Sequence, residues 1–193
     1  QALAARGIAS AYLSERESVF ESPEAQDLSV WLEAVHSNAQ ASRLRAALGT
    51  ASMGRSHAWL ERLNHDELLW DEMVLRFRGY GTLWREQGVL PMVRQLLRDF
   101  ALPSAWLSLP GGARTLTNLL HLAEWLQTQA QQLDSPQALM RELSQQIENP
   151  GQGQDGARLR LESDDDLIKV VTIHKSKGLE YPLVLLPFIG RWR

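Results

Sequence analysis

The stretch LTNLLHLAEWLQTQAQQL, residues 116–133, sets Leu116, Leu119, Leu120, Ala123, Leu126, Ala130 and Leu133 at steps of three and four. Side chains at those steps share one face of an α-helix, whereas a strand alternates every second residue. The same period recurs on both sides. Trp59, Leu60, Leu63, Leu69, Trp70, Met73 and Phe77 carry it through 57–63 and 65–78. Val89, Val93, Leu96, Leu97 and Phe100 resume it after the Gly79–Gly88 region. Ser135-Pro136 supplies an N-cap and a first-turn proline for another helix, with Leu139, Leu143 and Ile147 on its inner face. Loops are expected at Leu109-Pro110-Gly111-Gly112 and Asn149-Pro150-Gly151. The middle of the chain therefore predicts an all-helical block. Its tryptophans lie mostly on the apolar stripes and read as core fillers ahead of base-stacking platforms.

Outside that block the pattern changes. GIASAYLSER, residues 7–16, reads as a short strand with a polar exit. Ser22-Pro23-Glu24 then caps a helix over 23–36, with Leu28, Trp31, Leu32 and Val35 inward. A further helix is predicted over 41–48, stopped by Gly49. Residues 149–166, NPGQGQDGARLRLESDDD, are polar, Gly-rich and then acidic, which suits a mobile linker. Gly151, Gly153 and Gly156 have the GxGxxG spacing, but a dinucleotide site needs a strand before it and a helix opening on it. Here a helix ends before it and acids follow. Strand character returns in Leu167–Ile173 and Leu183–Phe188, two apolar runs of the kind buried in parallel sheets. Strand-bearing ends around a helical middle predict one α/β domain split by an insertion.

Composition narrows the function. With 193 residues, 44% hydrophobic and 22% charged, the chain is ordinary globular material, and its formal charge of −3 gives no global basic field. Any phosphate contact has to be local. There is no Cys, which removes disulfides and thiolate chemistry and suits a reducing compartment. No apolar run approaches the ~20 residues of a membrane span. The chain begins at Gln1 and ends at Arg193 soon after a predicted strand, so it reads as a piece of something larger.

All three lysines, Lys169, Lys175 and Lys177, lie in or beside VVTIHKSKGLEYPLVLLPF, residues 170–188. Ligands of parallel α/β sheets gather at the carboxyl ends of strands, where this polar segment leaves one. Thr172, His174 and Ser176 offer donors to phosphate, Lys175 and Lys177 add charge, Gly178 allows close approach, and Glu180 can accept from a ribose hydroxyl. The same residues also fit a solvated turn with a Gly cap. A Ser176 nucleophile finds no Gly-x-Ser-x-Gly elbow, and a metal site finds no second His or carboxylate cluster around His174. Asp164, Asp165 and Asp166 read as a solvated linker end.

The string from Thr172 to Tyr181 resembles motif V of the superfamily 1, UvrD-like DNA helicases, T-x-H-x-[AS]-K-G-L-E-[FY], and meets every defined position. YLSERESVFESPEAQDLSVWLEAV, with an acidic helix start from Glu24 to Asp27, resembles the segment preceding the helical insertion of these enzymes. Both ends are similar to the RecB-type beta chains of the exodeoxyribonuclease V family. The resemblance implies a mostly α chain with a small α/β part: a partial second RecA-like domain, a parallel sheet, split by an all-helical insertion. It assigns 1–36 and 167–193 to the motor domain, 37–148 to the insertion and 149–166 to a linker.

It also implies roles. Thr172, His174 and Ser176 would face single-stranded DNA; Gly178, Leu179 and Glu180 would lie near ATP; Lys175 and Lys177 would support the loop or face phosphate. The full-length protein would be an ATP- and Mg2+-dependent helicase with exonuclease activity. It would act in bacterial cytoplasm on single-stranded and duplex DNA, with the gamma and alpha chains of its complex as partners. The insertion would contact either duplex DNA, through a basic face of Arg43, Arg45, Arg55 and Arg62, or those partners. This chain has no GxxxxGK[ST] and no clustered nuclease carboxylates, so no catalytic or metal-binding residue is assigned. By itself it is expected to be inactive and to hold no cofactor tightly.

Overall fold

The structure, a computed structural model, describes residues 10–12, 18–37, 39–150, 168–170 and 182–186. The chain divides into two compact units, one of Gln1–Glu15 with Ser163–Arg193 and one of Arg16–Glu162.

In the first unit, β1 (Ser10–Tyr12) and β2 (Ile168–Val170) pair in parallel, with Ser10 opposite Ile168 and Tyr12 opposite Val170. Parallel strands need a crossover connection, and here the connecting sequence contains the whole second unit. Of Leu183–Phe188, expected as a second buried strand, the part 183–186 has no regular secondary structure and is exposed, from 51% at Leu186 to 79% at Leu183, and 187–188 lie outside the described residues. A buried strand needs a ladder neighbour and cover on its faces. Among the described residues the sheet has two strands, and this run is not one of them.

The second unit is helical. Ser18 opens a 3-10 turn, Val19–Glu21, through a reciprocal cap: its Oγ accepts from Phe20 N–H (3.3 Å), and its own N–H donates to Glu21 Oε2 (3.2 Å). Then come α1 (Pro23–His36), α2 (Ala41–Leu48), α3 (His57–His65), α4 (Glu67–Gln87) and α5 (Val89–Asp99). α6 (Leu102–Leu107), α7 (Gly112–Gln129) and α8 (Pro136–Glu148) complete the series. Side-chain caps fix several starts: Ser56, Asp66 and Ser135 each accept from the N–H three residues on.

α1 is the hub, packing on α2, α4, α7 and α8, while α5 lies against α4 and α7. Leu28, Trp31, Leu32 and Val35 of α1 join Leu44, Phe77, Val93, Leu119 and Leu122 in one buried cluster. Burying side chains of this size stabilises by about 1.5–3 kcal/mol each before ordering entropy is subtracted. The tryptophans follow the apolar stripes: Trp31, Trp84 and Trp106 are buried, and Trp59, Trp70 and Trp125 pack partly buried against the core.

Two elements differ from the periodicity. α4 runs straight through Gly79 and Gly81 to Gln87, because Gly81 presses against α1: a Cβ there would stand 3.3 Å from the Val35 carbonyl oxygen. The break falls at Gly88, whose φ of 97° suits glycine. The short α6 follows Ala101, held in the left-handed region at φ 52°, a local turn that the stripe pattern does not carry.

Candidate functional site

Two places could hold function: a groove in the helical unit and the polar stretch that follows β2 in sequence. The groove, of about 620 Å3, is built where α1 and α7 begin, against the 49–56 loop and the turn between α6 and α7. Glu24, in the first turn of α1 and only 8% exposed, is among its lining residues. Thr115 Oγ1 donates to Glu24 Oε1 (2.8 Å) and Asn118 Nδ2 donates to Oε2 (3.1 Å). A carboxylate buried there is stabilised by those donors and by the positive ends of the two helices that start beside it.

The remaining walls follow from local chemistry. Asp27, one turn after Glu24, accepts from Ser52 N–H (2.8 Å) at Oδ2 and so holds the loop after α2. The Trp106 indole N–H donates to the Ser52 carbonyl (3.0 Å), tying α6 to the same loop. Trp31 Nε1–H donates to Thr50 Oγ1 (2.8 Å) just beyond. The turn back to α7 is tight. Gly111 sits at φ 80°, and a Cβ on Gly112 would collide with the Trp106 carbonyl. Glycine is required at Gly112 and favoured at Gly111. Among the described residues no three His, Cys, Asp or Glu side chains gather as a metal site would need.

The segment that follows β2 in sequence carries the motif residues proposed from sequence. Thr172, His174, Lys175, Ser176, Lys177, Gly178, Leu179 and Glu180 all lie outside the described residues. Of the strand predicted over Leu167–Ile173, Ile168–Val170 is a strand, placed beside Ser10–Tyr12 by the parallel register. The linker from 151 onward also lies outside the described residues.

No protein-family model matches the chain. It is 48% identical over 186 residues, 96% of its length, to RecBCD enzyme subunit RecB of Escherichia coli. The chain belongs to the RecB family. The Haemophilus influenzae subunit of the same name is 42% identical over 95% of the chain, and that of Mycobacterium tuberculosis 30% over 97%. The chain spans 16% of the E. coli relative's length.

In this RecB-family chain the four arginines of the suggested basic face are engaged within the fold. Arg43 pairs with Glu33 (3.4 Å) and Arg62 with Asp66 (3.7 Å). Arg45 donates to Asn64 Oδ1 (3.1 Å) and lies over the Trp70 ring, 4.3 Å from its centre. Arg55 is tucked between the Trp59 and Phe100 rings and donates to the Phe100 carbonyl (3.2 Å). Burial, and after it the nearby Arg76 guanidinium, pulls Arg55 below the usual arginine value. Sequence alone read Glu24 as a first-turn acid, since its partners Thr115 and Asn118 lie 91 and 94 residues away. No local pattern announces the groove.

Proposed function

We propose that this chain is the segment of an ATP-dependent DNA helicase–nuclease subunit that carries part of the second RecA-like motor domain and its helical insertion. The observation that carries the reading is the string from Thr172 to Tyr181, which meets every defined position of the superfamily 1 motif, in a chain 48% identical to a RecB subunit. The parallel pairing of Ser10–Tyr12 with Ile168–Val170 supports it, because strands so distant in sequence suit one sheet interrupted by an insertion.

The loop is read as the coupling element between nucleotide and DNA. Thr172, His174 and Ser176 hold single-stranded DNA by donating to phosphate or sugar oxygens. Gly178 and Leu179 let the backbone come close to ATP, and Glu180 accepts from its ribose. Lys175 and Lys177 supply local positive charge in a chain that is slightly acidic. One short loop touching both ligands shifts its DNA contacts as the cleft closes on ATP. ATP with Mg2+ supplies the free energy for translocation in the whole subunit. Neither the phosphate-cradling GxxxxGK[ST] nor a cluster of nuclease carboxylates occurs in this sequence, so the chain by itself is read as neither hydrolysing ATP nor cutting DNA. In the complete bacterial enzyme its partners are single-stranded and duplex DNA and the alpha and gamma chains, in the cytoplasm. Among the described residues no helix is long and apolar enough to cross a membrane.

The test is Thr172→Ala with His174→Ala in the full-length subunit, assembled with its partners. Unwinding and DNA-stimulated ATP hydrolysis both fall if the loop couples the two ligands; unchanged rates overturn the role. ATPase activity of the 193-residue chain that vanishes with Glu180→Ala overturns its inactivity. A second reading concerns the helical unit alone. Its suggested basic face is engaged by its own acids, rings and carbonyls, which favours a partner-protein surface over a duplex-DNA surface.

A further inference from the structure

We propose that the exposed face of α4 is an interface with a second copy of this chain, the two α4 helices running antiparallel. Leu68 and Leu75 stand 83% and 66% exposed on this face. Seven residues is nearly two full turns, so Leu68, Leu75 and Thr82 form one line along the helix, with a drift of about 20° per step. α1, α3 and α5 pack against α4, yet all three positions stay exposed. Large apolar side chains aligned on an outer helix face suit contact with another helix.

Charge identifies the occupant. One flank of that line carries Glu67, Asp71, Arg78 and Arg85 in N- to C-terminal order, all exposed. Acid, acid, base, base is complementary to itself once reversed. Parallel helices would set acid against acid and base against base. A two-fold axis through Leu75, perpendicular to the helices, reverses their direction and brings like flanks together. Asp71 then lies beside Arg78 of the second copy and Glu67 beside its Arg85, each pair occurring twice. Leu75 meets its own counterpart on the axis, and Leu68 meets Thr82.

Asp71 and Arg78 are available for this contact. Neither joins an ion pair or a side-chain hydrogen bond among the described residues, whereas Arg76 on the same helix is held by Glu72 (2.6 Å). The other flank carries Gly79, exposed and without a side chain, opposite Glu72 of the second copy, so no bulky pair holds the helices apart. A single pair of helices buries less than a standard interface, and exposed ion pairs add little each, so the association is of the transient class.

Sedimentation equilibrium of the 193-residue chain from about 10 μM to 1 mM is the test. The weight-average mass is expected to climb reversibly toward twice the monomer, half-associated at about 0.1–1 mM. Leu75→Asp is expected to weaken association about tenfold or more, and Asp71→Arg and Arg78→Asp about fivefold or more each. All three positions are exposed, so thermal melts matching the parent show that each variant keeps its fold. An equimolar mixture of the Asp71→Arg and Arg78→Asp chains is expected to associate about as the parent does, since every flank pair then joins opposite charges. A parent chain that stays monomeric across the range overturns the proposal, as does a mass that rises past the dimer. Association that survives Leu75→Asp, or a mixture that associates no better than its components, overturns it equally.

Discussion

Glu24 and Asn118, 94 residues apart in sequence, are joined by an Asn118 Nδ2–H···Oε2 hydrogen bond of 3.1 Å between two nearly buried side chains. With Thr115 on the other oxygen, this links the first turn of α1 to α7. Removing the carboxylate leaves Asn118 Nδ2 buried without its acceptor. Glu24→Ala is expected to lower unfolding stability by about 2–4 kcal/mol, and Thr115→Val by about 1 kcal/mol. The two losses share one interaction, so the double variant loses less than their sum. Urea unfolding of the four proteins measures this, and strict additivity would show that the pair does not interact.

The glycines separate backbone freedom from packing. Gly79 is exposed inside α4, and a Cβ there would meet nothing within 4 Å, so Gly79→Ala is expected to stabilise by about 0.5–1 kcal/mol through helix propensity. Gly112→Ala drives a methyl into the Trp106 carbonyl and is expected to cost about 3 kcal/mol or more. Thermal melts of the two variants moving in opposite directions check the assignment.

These cases show what the sequence could and could not carry. The bounds of α1, α2 and α8 agree with expectation because their signals are local: Ser-Pro at two starts and Gly49 at one end. α4 was expected to stop near Gly79, since glycine weakens an isolated helix. Its continuation depends on Gly81 fitting against α1, a contact between segments far apart in sequence. The groove was illegible for the same reason. Thr115 and Asn118 sit in a Leu-rich helix and gain meaning only when Glu24 faces them. The Thr172–Glu180 string is the reverse case: its spacing is a purely local signal, so sequence could propose the site although those residues lie outside the described ones.

Tyr80 gives a pH signature. Its hydroxyl donates to Asp99 Oδ2 (2.9 Å), and burial first, then that bond and the Asp99 charge, push the phenol far above its ordinary value. The folded state thus holds the proton more tightly than the unfolded chain, whose tyrosine titrates near about 10. Stability from this group is fully present below about pH 10 and falls as pH rises beyond it toward the folded value. Tyr80→Phe is expected to cost about 1–2 kcal/mol at pH 7 and to flatten the decline above about pH 10. Urea midpoints measured from neutral to alkaline pH test both parts; parallel curves for the two proteins would remove Tyr80 from the alkaline response.

The arginines of α2, α3 and the loop between them give the last prediction. A DNA-binding face loses affinity steeply with salt, because each neutralised phosphate releases counterions. Arg43 and Arg62 have acids within 4 Å, and Arg45 and Arg55 are spent on rings, an amide and a carbonyl. The 193-residue chain is therefore expected to bind duplex DNA weakly even at low salt. Arg43→Gln with Arg62→Gln is expected to leave that binding and its salt slope unchanged. Arg55→Gln is expected instead to destabilise by about 1–2 kcal/mol, since it removes ring stacking and a charged hydrogen bond. Tight binding that collapses with salt, and a slope reduced by about one for each arginine removed, would make these helices a DNA surface after all.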